Sequence, residues 1–298
     1  MNPLNLNSSS LRSLSPLAPR KASQVAPTLD DCQRESECLP QESGSRWGTV
    51  SLAGLGVLAA TTGMVQAQVH QQQPLVVAHR GETDHARENS LEAFRQALAD
   101  GADALELDLH LTRDGDLAVN HDDTLDRTYG RPGVVREMTS EELRAAGVPM
   151  LSDVLALPAD RLILELKHPK GGRHVGIEQI VIDQLQKAGA EERSVVISFD
   201  ETSLKTLHQL EPELATGYLY GGDKVDPARA KEELGIVYLG PHFSVVNEEY
   251  VRKAHEVGLK VNPWTVDELK DMERMIELGC DAITTDRSGN LVQLLADR

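Results

Sequence analysis

Four apolar runs near the middle of the chain carry imidazole or charged side chains at or near their ends. They are LVVAH (75–79), ALELDLHL (104–111), LAVNH (117–121) and LILELK (162–167). In the second run leucine fills every odd position, so Glu106 and Asp108 face the other side of a strand. In the fourth run three leucines likewise oppose Glu165 and Lys167. The pattern predicts β-strands with one apolar face and one face that carries charge.

Strand-like and helix-like segments alternate through the rest of the chain. Further strands are predicted at 195–199, 216–220, 236–240, 260–265 and 282–285. Helices are predicted at 90–99, 176–188, 201–210, 226–234, 247–257 and 267–278. Together with 75–79, 104–111 and 162–167, the strands give eight parallel candidates, and such alternation is typical of a parallel sheet. The sequence therefore predicts a (β/α)8, or TIM, barrel over residues 75–298.

The second strand is followed by a hairpin signal. Asp114 and Gly115 lie between apolar residues, a pattern that favours a tight β-turn. The return strand, 117–121, must run antiparallel because only a turn precedes it. A loop centred on the Asp-Gly pair would place His121 opposite Asp108, about 5 Å away between Cβ atoms. Residues 123–150 then form a short insertion.

The acidic positions on these strands indicate a metal site. A parallel barrel gathers its chemistry at the carboxyl ends of its strands, where Glu106, Asp108 and Glu165 would meet. Three crowded carboxylates repel one another and lose solvation unless a cation lies among them. A divalent ion with oxygen ligands is the simplest solution, and Mg2+ and Ca2+ both suit it.

The motifs of the domain stand in a familiar order. They are HRG (79–81), ENS (88–90), GADALELDLHLTRDGDLAVNHDDTLDRTYG (101–130), LELK (164–167) and ITTDR (283–287). In order and spacing they resemble the glycerophosphodiester phosphodiesterase family, from about Leu75 to Asp286. Ser90 and Tyr129 stand where threonine is usual, and neither change removes a charged group. The resemblance implies a metal-dependent enzyme that converts deacylated phospholipids, such as glycerophosphocholine or glycerophosphoethanolamine, to glycerol 3-phosphate and an alcohol.

Four side chains suit that chemistry. His79 and His121 can act as acid and base near neutral pH. Arg80 and Lys167 can supply positive charge to the phosphate, although structural ion pairs with the carboxylates are the alternative. In the resembling family a glycerol hydroxyl can attack phosphorus, expelling the alcohol and leaving a cyclic phosphate that water opens. Which histidine begins as the base does not follow from the sequence.

Five further residues carry weaker predictions. Trp264 and Phe199 can form an apolar wall against glycerol or pack within the barrel. Glu88 and Asn89 can bind metal, orient His79 or cap a helix. Asp286 can close the loop at the end of the last strand, bond His79 or cap a helix. The remaining histidines that we singled out are expected to be surface or packing residues: His85, His110, His168, His174 and His242.

Net charge limits the binding partners that we expect, and the cysteine count limits the disulfides. The formal net charge is -17 at pH 7, and the first 49 residues, with five basic and five acidic side chains, contribute none of it. An acidic domain argues against nucleic-acid binding and against docking on anionic membranes. Cys32 and Cys38 precede the domain and Cys280 stands alone in it, so no disulfide framework is expected.

The amino-terminal part resembles a leader. Residues 1–49 are rich in Ser, Pro, Gln and Asn, which predicts disorder. Residues 50–67 form an apolar, small-residue segment that resembles a signal peptide with cleavage before Gln68. We therefore expect a periplasmic or secreted protein without stable membrane association after cleavage. The alternatives are an uncleaved anchor, or a cytoplasmic protein whose start codon is assigned too far upstream.

Two other function classes remain open. One is a non-catalytic domain of the same fold that binds metal or phospholipid head groups, but the loss of a histidine would be its signature and both are present. The other is a different barrel hydrolase, such as a glycosidase with paired acids. Glu106 and Asp108 share one strand and one face, whereas acids that flank a sugar should come from separate strands.

Overall fold

A computed structural model describes residues 73–170, 172–222 and 225–298. The predicted leader, 1–49, and the signal-like segment, 50–67, lie outside these residues. Nine strands form one sheet in the described part: β1 (Leu75–His79), β2 (Ala104–Leu111), β3 (Leu117–Val119), β4 (Leu162–Leu166), β5 (Ser194–Ser198), β6 (Thr216–Tyr220), β7 (Tyr238–Pro241), β8 (Lys260–Val261) and β9 (Ala282–Thr285). Eight run parallel in the order β8-β7-β6-β5-β4-β2-β1-β9, and β3 pairs antiparallel with β2.

The two ends of this order meet through backbone hydrogen bonds. Asp281 N donates to Val261 O at 3.0 Å, and Thr284 N donates to Pro263 O at 3.0 Å. The eight parallel strands therefore form a nearly closed barrel, and the predicted TIM architecture is confirmed. Strand β8 is shorter than the predicted 260–265 because Pro263 has no N–H for a ladder bond.

Helices surround the barrel. Over the described ranges they are α1 (Leu91–Ala99), α2 (Asp126–Tyr129), α3 (Ser140–Ala145), α4 (Leu151–Leu155), α5 (Ile177–Ala188), α6 (Glu201–Leu210), α7 (Pro227–Leu234), α8 (Glu248–Glu256), α9 (Leu269–Glu277) and α10 (Ser288–Ala296). The six predicted helices correspond to α1 and α5 to α9, and their ends agree within two residues. Helices α2, α3, α4 and α10 are not among the six predicted. Among the described helices, none combines the length and apolar character needed to cross a membrane.

The core has two layers that follow the strand alternation. Leu105, Leu107 and Leu109 are fully buried between the sheet and the helices. A smaller apolar cluster fills the barrel interior: Val77, Ala104, Ile163, Ile197, Leu219 and Ala282. Glu106 and Asp108, on the face opposite the leucines, are only 2% and 0% exposed. The fold thus buries two acidic side chains on the polar face that the sequence pattern predicted.

The hairpin register differs from the prediction by one residue. Leu109 pairs with Val119, and Asn120 N donates to Asp108 O at 3.0 Å. Asn120, rather than His121, therefore lies opposite Asp108, so that prediction was wrong. Strand β3 ends at Val119, and His121 reaches the site from the bend that follows it.

The loop explains the shift. It contains three residues, 113–115, because Thr112 N donates to Asp116 O at 2.9 Å. Thr112 Oγ1 donates to Asp114 Oδ1 at 2.6 Å and accepts from Asp116 N at 2.9 Å. Gly115 takes the left-handed conformation, φ +84°, that a three-residue loop requires. A threonine side chain thus lengthens the turn that the Asp-Gly pair alone would make.

Residues 123–150 fold as a compact insertion beside β3. Its apolar side chains form a separate cluster with Ala118: Leu125, Val135, Leu143, Val148 and Met150. Thr139 caps α3 in a reciprocal capping box with Glu142. The insertion therefore has its own small core, which holds its short helices against the second strand of the barrel.

Candidate active site

A sharp turn after β1 positions the first two motif residues. Arg80 and Gly81 both have positive φ, 59° and 90°. Arg80 N donates to Glu106 O at 3.0 Å and to Glu106 Oε2 at 3.1 Å, which joins the turn to β2. A Cβ at position 81 would lie 2.7 Å from the carbonyl carbon of Ala93, so only glycine fits. The turn at the HRG motif thus requires glycine at position 81 and directs Arg80 towards β2, which carries the acidic residues.

Three carboxylates meet at the carboxyl ends of β2 and β4. Asp108 pairs in register with Glu165, and one oxygen from each of Glu106, Asp108 and Glu165 lies within 4.8 Å of the others. Burial, together with the charge of Asp108, raises the pKa of Glu106 and of Glu165. Burial also opposes ionisation of Asp108, but Lys167 and Arg80 hold its pKa well below the usual range.

Two cations only partly balance these acids. Lys167 Nζ lies 2.8 Å from Glu165 Oε1 and 3.5 Å from Asp108 Oδ1, and Arg80 Nε lies 3.2 Å from Asp108 Oδ2. Asp108 Oδ1 is buried and has no hydrogen-bond partner among the described residues. A buried cluster of hard oxygen donors, one of which lacks a hydrogen bond, fits a divalent cation such as Mg2+ or Ca2+.

Two histidines flank the carboxylates, and each has an acidic partner. His79 Nδ1 donates to Asp286 Oδ1 at 2.7 Å, and His79 Nε2 lies 4.0 Å from Glu106 Oε2. His121 Nδ1 donates to Asp122 Oδ1 at 2.7 Å. Each bond fixes one ring nitrogen and leaves Nε2 available for proton transfer.

The two imidazoles differ in electrostatic environment. Burial lowers the pKa of His79, but the bond to Asp286 and the charge of Glu106 outweigh it, so that pKa is raised. Burial also lowers the pKa of His121, and there the positive charges of Lys167 and nearby Arg80 help burial outweigh the attraction of acidic groups. The two rings therefore differ in their affinity for a proton.

A cavity of about 280 Å³ connects these groups. Its polar lining includes His79, Arg80, Glu106, His121, Glu165 and Lys167. Phe199 and Trp264 form an opposing aromatic wall, packed edge to face with ring centroids 5.4 Å apart. Trp264 Nε1 donates to Gly240 O at 2.8 Å, and Phe199 is 45% exposed. The cavity suits a small ligand that has both a charged part and an apolar part.

Asn89 and Glu88 have partners that the sequence did not identify. Asn89 Nδ2 donates to Asp108 Oδ2 at 2.7 Å, and Asp108 N donates to Asn89 Oδ1 at 3.3 Å. Asn89 therefore orients Asp108 rather than His79, and Ser90, not either of these residues, caps α1. Glu88 accepts a bond from Arg80 Nη1 at 3.5 Å. The helix-cap alternative was therefore wrong for both residues, and the hydrogen bonds described here join them to Asp108 and Arg80 rather than to His79. A part for either residue in metal binding stays a prediction.

Asp286 makes one of the interactions that were expected of it. It bonds His79, as described, and it does not cap α10, because Arg287 holds the N-cap position.

Asn262 also lines the cavity, although the sequence did not point to it, and its Oδ1 accepts a bond from Thr284 Oγ1 at 3.0 Å. A polar residue inside the predicted strand 260–265 was the available signal.

Two buried histidines support the segment that carries His121. His110 Nε2 lies 3.1 Å from His121 O and must donate, because a carbonyl oxygen only accepts. His110 Nδ1 then accepts from His174 Nε2 at 3.0 Å. His110 and His174 are 1% and 5% exposed. They are packing residues, as expected, but their bonds also connect the hairpin to the loop after β4.

Comparison with known proteins identifies this arrangement. A sequence model of the Glycerophosphoryl diester phosphodiesterase family matches residues 79–290, from His79 into α10. The chain belongs to this family. A glycerophosphodiester phosphodiesterase of Caldanaerobacter subterraneus subsp. tengcongensis is 36% identical over 236 residues, covering 74% of this chain and 97% of that protein.

Solved structures agree with that assignment. The crystal structure of a glycerophosphodiester phosphodiesterase from Parabacteroides distasonis has a TM-score of 0.67 and 31% identity, covering 76% of this chain and 98% of that one. A phosphodiesterase from Oleispira antarctica, solved in complex with the product sn-glycerol-3-phosphate, shares the fold with a TM-score of 0.67 and 24% identity, over 75% of this chain and 97% of that one. Like its relatives in the phosphodiesterase family, this chain is a phosphoric diester hydrolase.

Proposed function

We propose that this phosphodiesterase hydrolyses glycerophosphodiesters, such as glycerophosphocholine or glycerophosphoethanolamine, to glycerol 3-phosphate and an alcohol, with Mg2+ or Ca2+ bound. The observation that carries the proposal is the cluster of three carboxylates, within 4.8 Å of one another, beside two histidines that are each bonded to an acid. The product complex of the Oleispira antarctica phosphodiesterase supports the choice of product.

Glu106, Asp108 and Glu165 would hold the ion. The buried Asp108 Oδ1, which has no hydrogen-bond partner among the described residues, is the most direct support for this assignment. The chemistry that a divalent ion supplies in such a site is neutralisation of phosphate oxygens and a lower pKa for a bound hydroxyl. Arg80 and Lys167 line the same cavity and add positive charge for an anionic diester.

His79 and His121 exchange protons with the substrate. One imidazole removes the proton of the attacking glycerol hydroxyl, and the other protonates the leaving alkoxide. Asp286 and Asp122 hold the Nδ1 atoms, so the proton moves at Nε2 of each ring. The first step leaves the base protonated and the acid deprotonated. When water opens the cyclic phosphate, the two histidines therefore reverse their roles: the former acid takes a proton from water, and the former base returns one to the glycerol oxygen.

Phe199 and Trp264 would pack against the carbon atoms of glycerol. Their edge-to-face contact forms the apolar side of the cavity, and its volume of about 280 Å³ accommodates a small head group. This wall gives the substrate a direction, because the phosphate must face the cations while the carbon chain faces the rings.

An assay of purified protein on glycerophosphocholine tests the metal. Exhaustive chelation should abolish turnover, and Mg2+ or Ca2+ should restore it. Alanine at Glu106, Asp108 or Glu165 should weaken metal binding, measured by calorimetry, as well as the rate. Unchanged turnover after chelation would refute metal dependence, and normal metal binding in all three variants would refute the ligand assignment.

The histidine roles have a separate test. His79→Ala or His121→Ala should lower kcat by about 10²- to 10⁴-fold while leaving metal binding intact. His85→Ala, at an exposed histidine outside the cavity lining, is the matched control and should retain full turnover. A variant of either cavity histidine that turns over like the control would have no catalytic role there.

We also propose that the active domain begins near Gln68 and works in the periplasm or outside the cell. The apolar segment 50–67 and its small residues before Gln68 support this location. Truncation to Gln68 should leave catalysis intact. Mass spectrometry of the protein from its native cell checks the start: a cytoplasmic chain that retains residues 1–67 would contradict the location.

A further inference from the structure

Arg127 lies on α2 of the insertion and bonds two carboxylates at once. Its Nη1 and Nη2 donate to Glu88 Oε2 and Oε1 at 2.7 and 2.6 Å. Its Nε and Nη2 donate to Asp122 Oδ2 and Oδ1 at 2.7 and 3.2 Å. The planar guanidinium therefore makes two forked interactions, a geometry that lysine cannot reproduce.

The two carboxylates in turn hold active-site groups. Asp122 Oδ1, which accepts from Arg127 Nη2, also accepts from His121 Nδ1 at 2.7 Å. Glu88 Oε1, which accepts from the same Nη2, lies 3.5 Å from Arg80 Nη1. A single nitrogen atom of Arg127 thus contacts both oxygens that bond the histidine and the arginine of the site.

The surrounding charges keep this bridge ionised. Hydrogen bonds from Arg127 are the largest influence on Asp122 and lower the pKa of that carboxyl to about 2. Burial favours the neutral form of Glu88, but Arg127 and Arg80 lower its pKa overall. Both carboxylates therefore remain acceptors throughout the neutral pH range.

The fold fixes where Arg127 stands. Leu125, at the start of α2, is fully buried in the cluster of the insertion, and its N–H donates to Gly133 O at 2.9 Å. The helix ends after one turn at Gly130, whose φ of 62° suits glycine. The arginine is therefore presented by a short, anchored helix, with its side chain 51% exposed.

We propose that Arg127 is a positioning residue, which orients His121 through Asp122 and Arg80 through Glu88. The inference rests on the proposed function, because it assigns the bridge to the two groups that handle the proton and the phosphate. An ordinary surface ion pair would contribute little to stability and nothing to the rate. The geometry instead links two sides of the active site through one exposed side chain.

Variants of the full chain separate these roles. Arg127→Ala should lower kcat/KM about 10- to 100-fold, because misplacement of a catalytic group by about 1 Å has effects of that order. Guanidinium ion, below the concentration that unfolds the protein, should restore part of the rate, and Arg127→Lys should restore less than the guanidinium does. Arg113→Ala is the matched control: Arg113 is 55% exposed and pairs with Glu142 at 3.0 Å at the surface of the insertion.

A spectroscopic readout makes the result independent of turnover. In nuclear magnetic resonance spectra, the Nδ1 proton of His121 should lose its hydrogen-bonded shift in Arg127→Ala and keep it in Arg113→Ala. Equal rates in the two variants, or an unchanged His121 signal, would overturn the proposal. If the wild-type protein fails to hydrolyse the diester, the proposed function fails, while the His121 signal still decides whether Arg127 fixes the imidazole.

Discussion

Replacing His174 with glutamine should make the folded protein less sensitive to acid. Burial lowers the pKa of His174 to about 4, and the neighbouring His110 and His168 add to the effect. In the unfolded chain the same group binds a proton below about 6.5. Between these values the unfolded state holds more protons than the folded state, so His174 makes stability fall as pH drops from about 6.5 towards 4. Above 6.5 the effect vanishes.

The size of the effect follows from the pKa interval. An interval of about 2.5 units at about 1.4 kcal/mol per unit gives at most about 3.5 kcal/mol of lost unfolding free energy. For a domain of this size each kcal/mol shifts Tm by about 2–4 °C, so the loss of Tm is at most about 7–14 °C. Glutamine can still donate to His110 Nδ1, which keeps the bond but removes the titration.

Thermal unfolding at a series of pH values from 4 to 7.5, with chelator present throughout, measures this difference. The wild-type Tm should fall further than that of His174→Gln between pH 7 and pH 4. His85→Gln removes an exposed histidine and should behave like the wild type. If the wild type and His174→Gln lose Tm in parallel, His174 is not the group that carries the acid sensitivity.

Two further substitutions test the turn and the histidine pair. Gly81→Ala should lower the free energy of unfolding by more than the roughly 1–2 kcal/mol that a left-handed backbone costs, because the new Cβ also meets Ala93 at 2.7 Å. Gly115→Ala, at φ +84° with open space around it, isolates the backbone cost. Equal losses of Tm in the two variants would contradict the clash. Asp286→Asn should lower the pKa of His79, since the acid raises it, and move the limb of the kcat profile that reports His79 to lower pH. A profile in which neither limb moves would show that Asp286 does not tune the ring.

The barrel and the acidic face could be predicted because their signals are local. Alternation in 104–111 fixes which side chains share a face, and the structure buries Leu107 on one side and Glu106 and Asp108 on the other. Parallel strands then bring their carboxyl ends together, so Glu165 follows from topology alone. Periodicity carries this information without any knowledge of side-chain contacts.

The hairpin register and the arginine bridge depend on particular hydrogen bonds. Thr112 shifts the register by one residue through its hydroxyl, a choice that the Asp-Gly signal does not contain. Arg127 and Glu88 are 39 positions apart and meet only because the insertion folds beside β3. Pattern analysis therefore locates the strands that carry the site, but not the contacts that orient its members.

The bond between His79 and Asp286 also sets an order for biosynthesis. The two residues are 207 positions apart, and their strands, β1 and β9, are neighbours in the barrel. A ribosome delivers His79 207 residues before Asp286, so a nascent chain holds an unsupported imidazole until the segment after β9 is made. Hydrolysis should consequently begin only once the whole domain has been synthesised. A chain that ends before β9 would lack both the strand that closes the barrel and the acidic partner of His79.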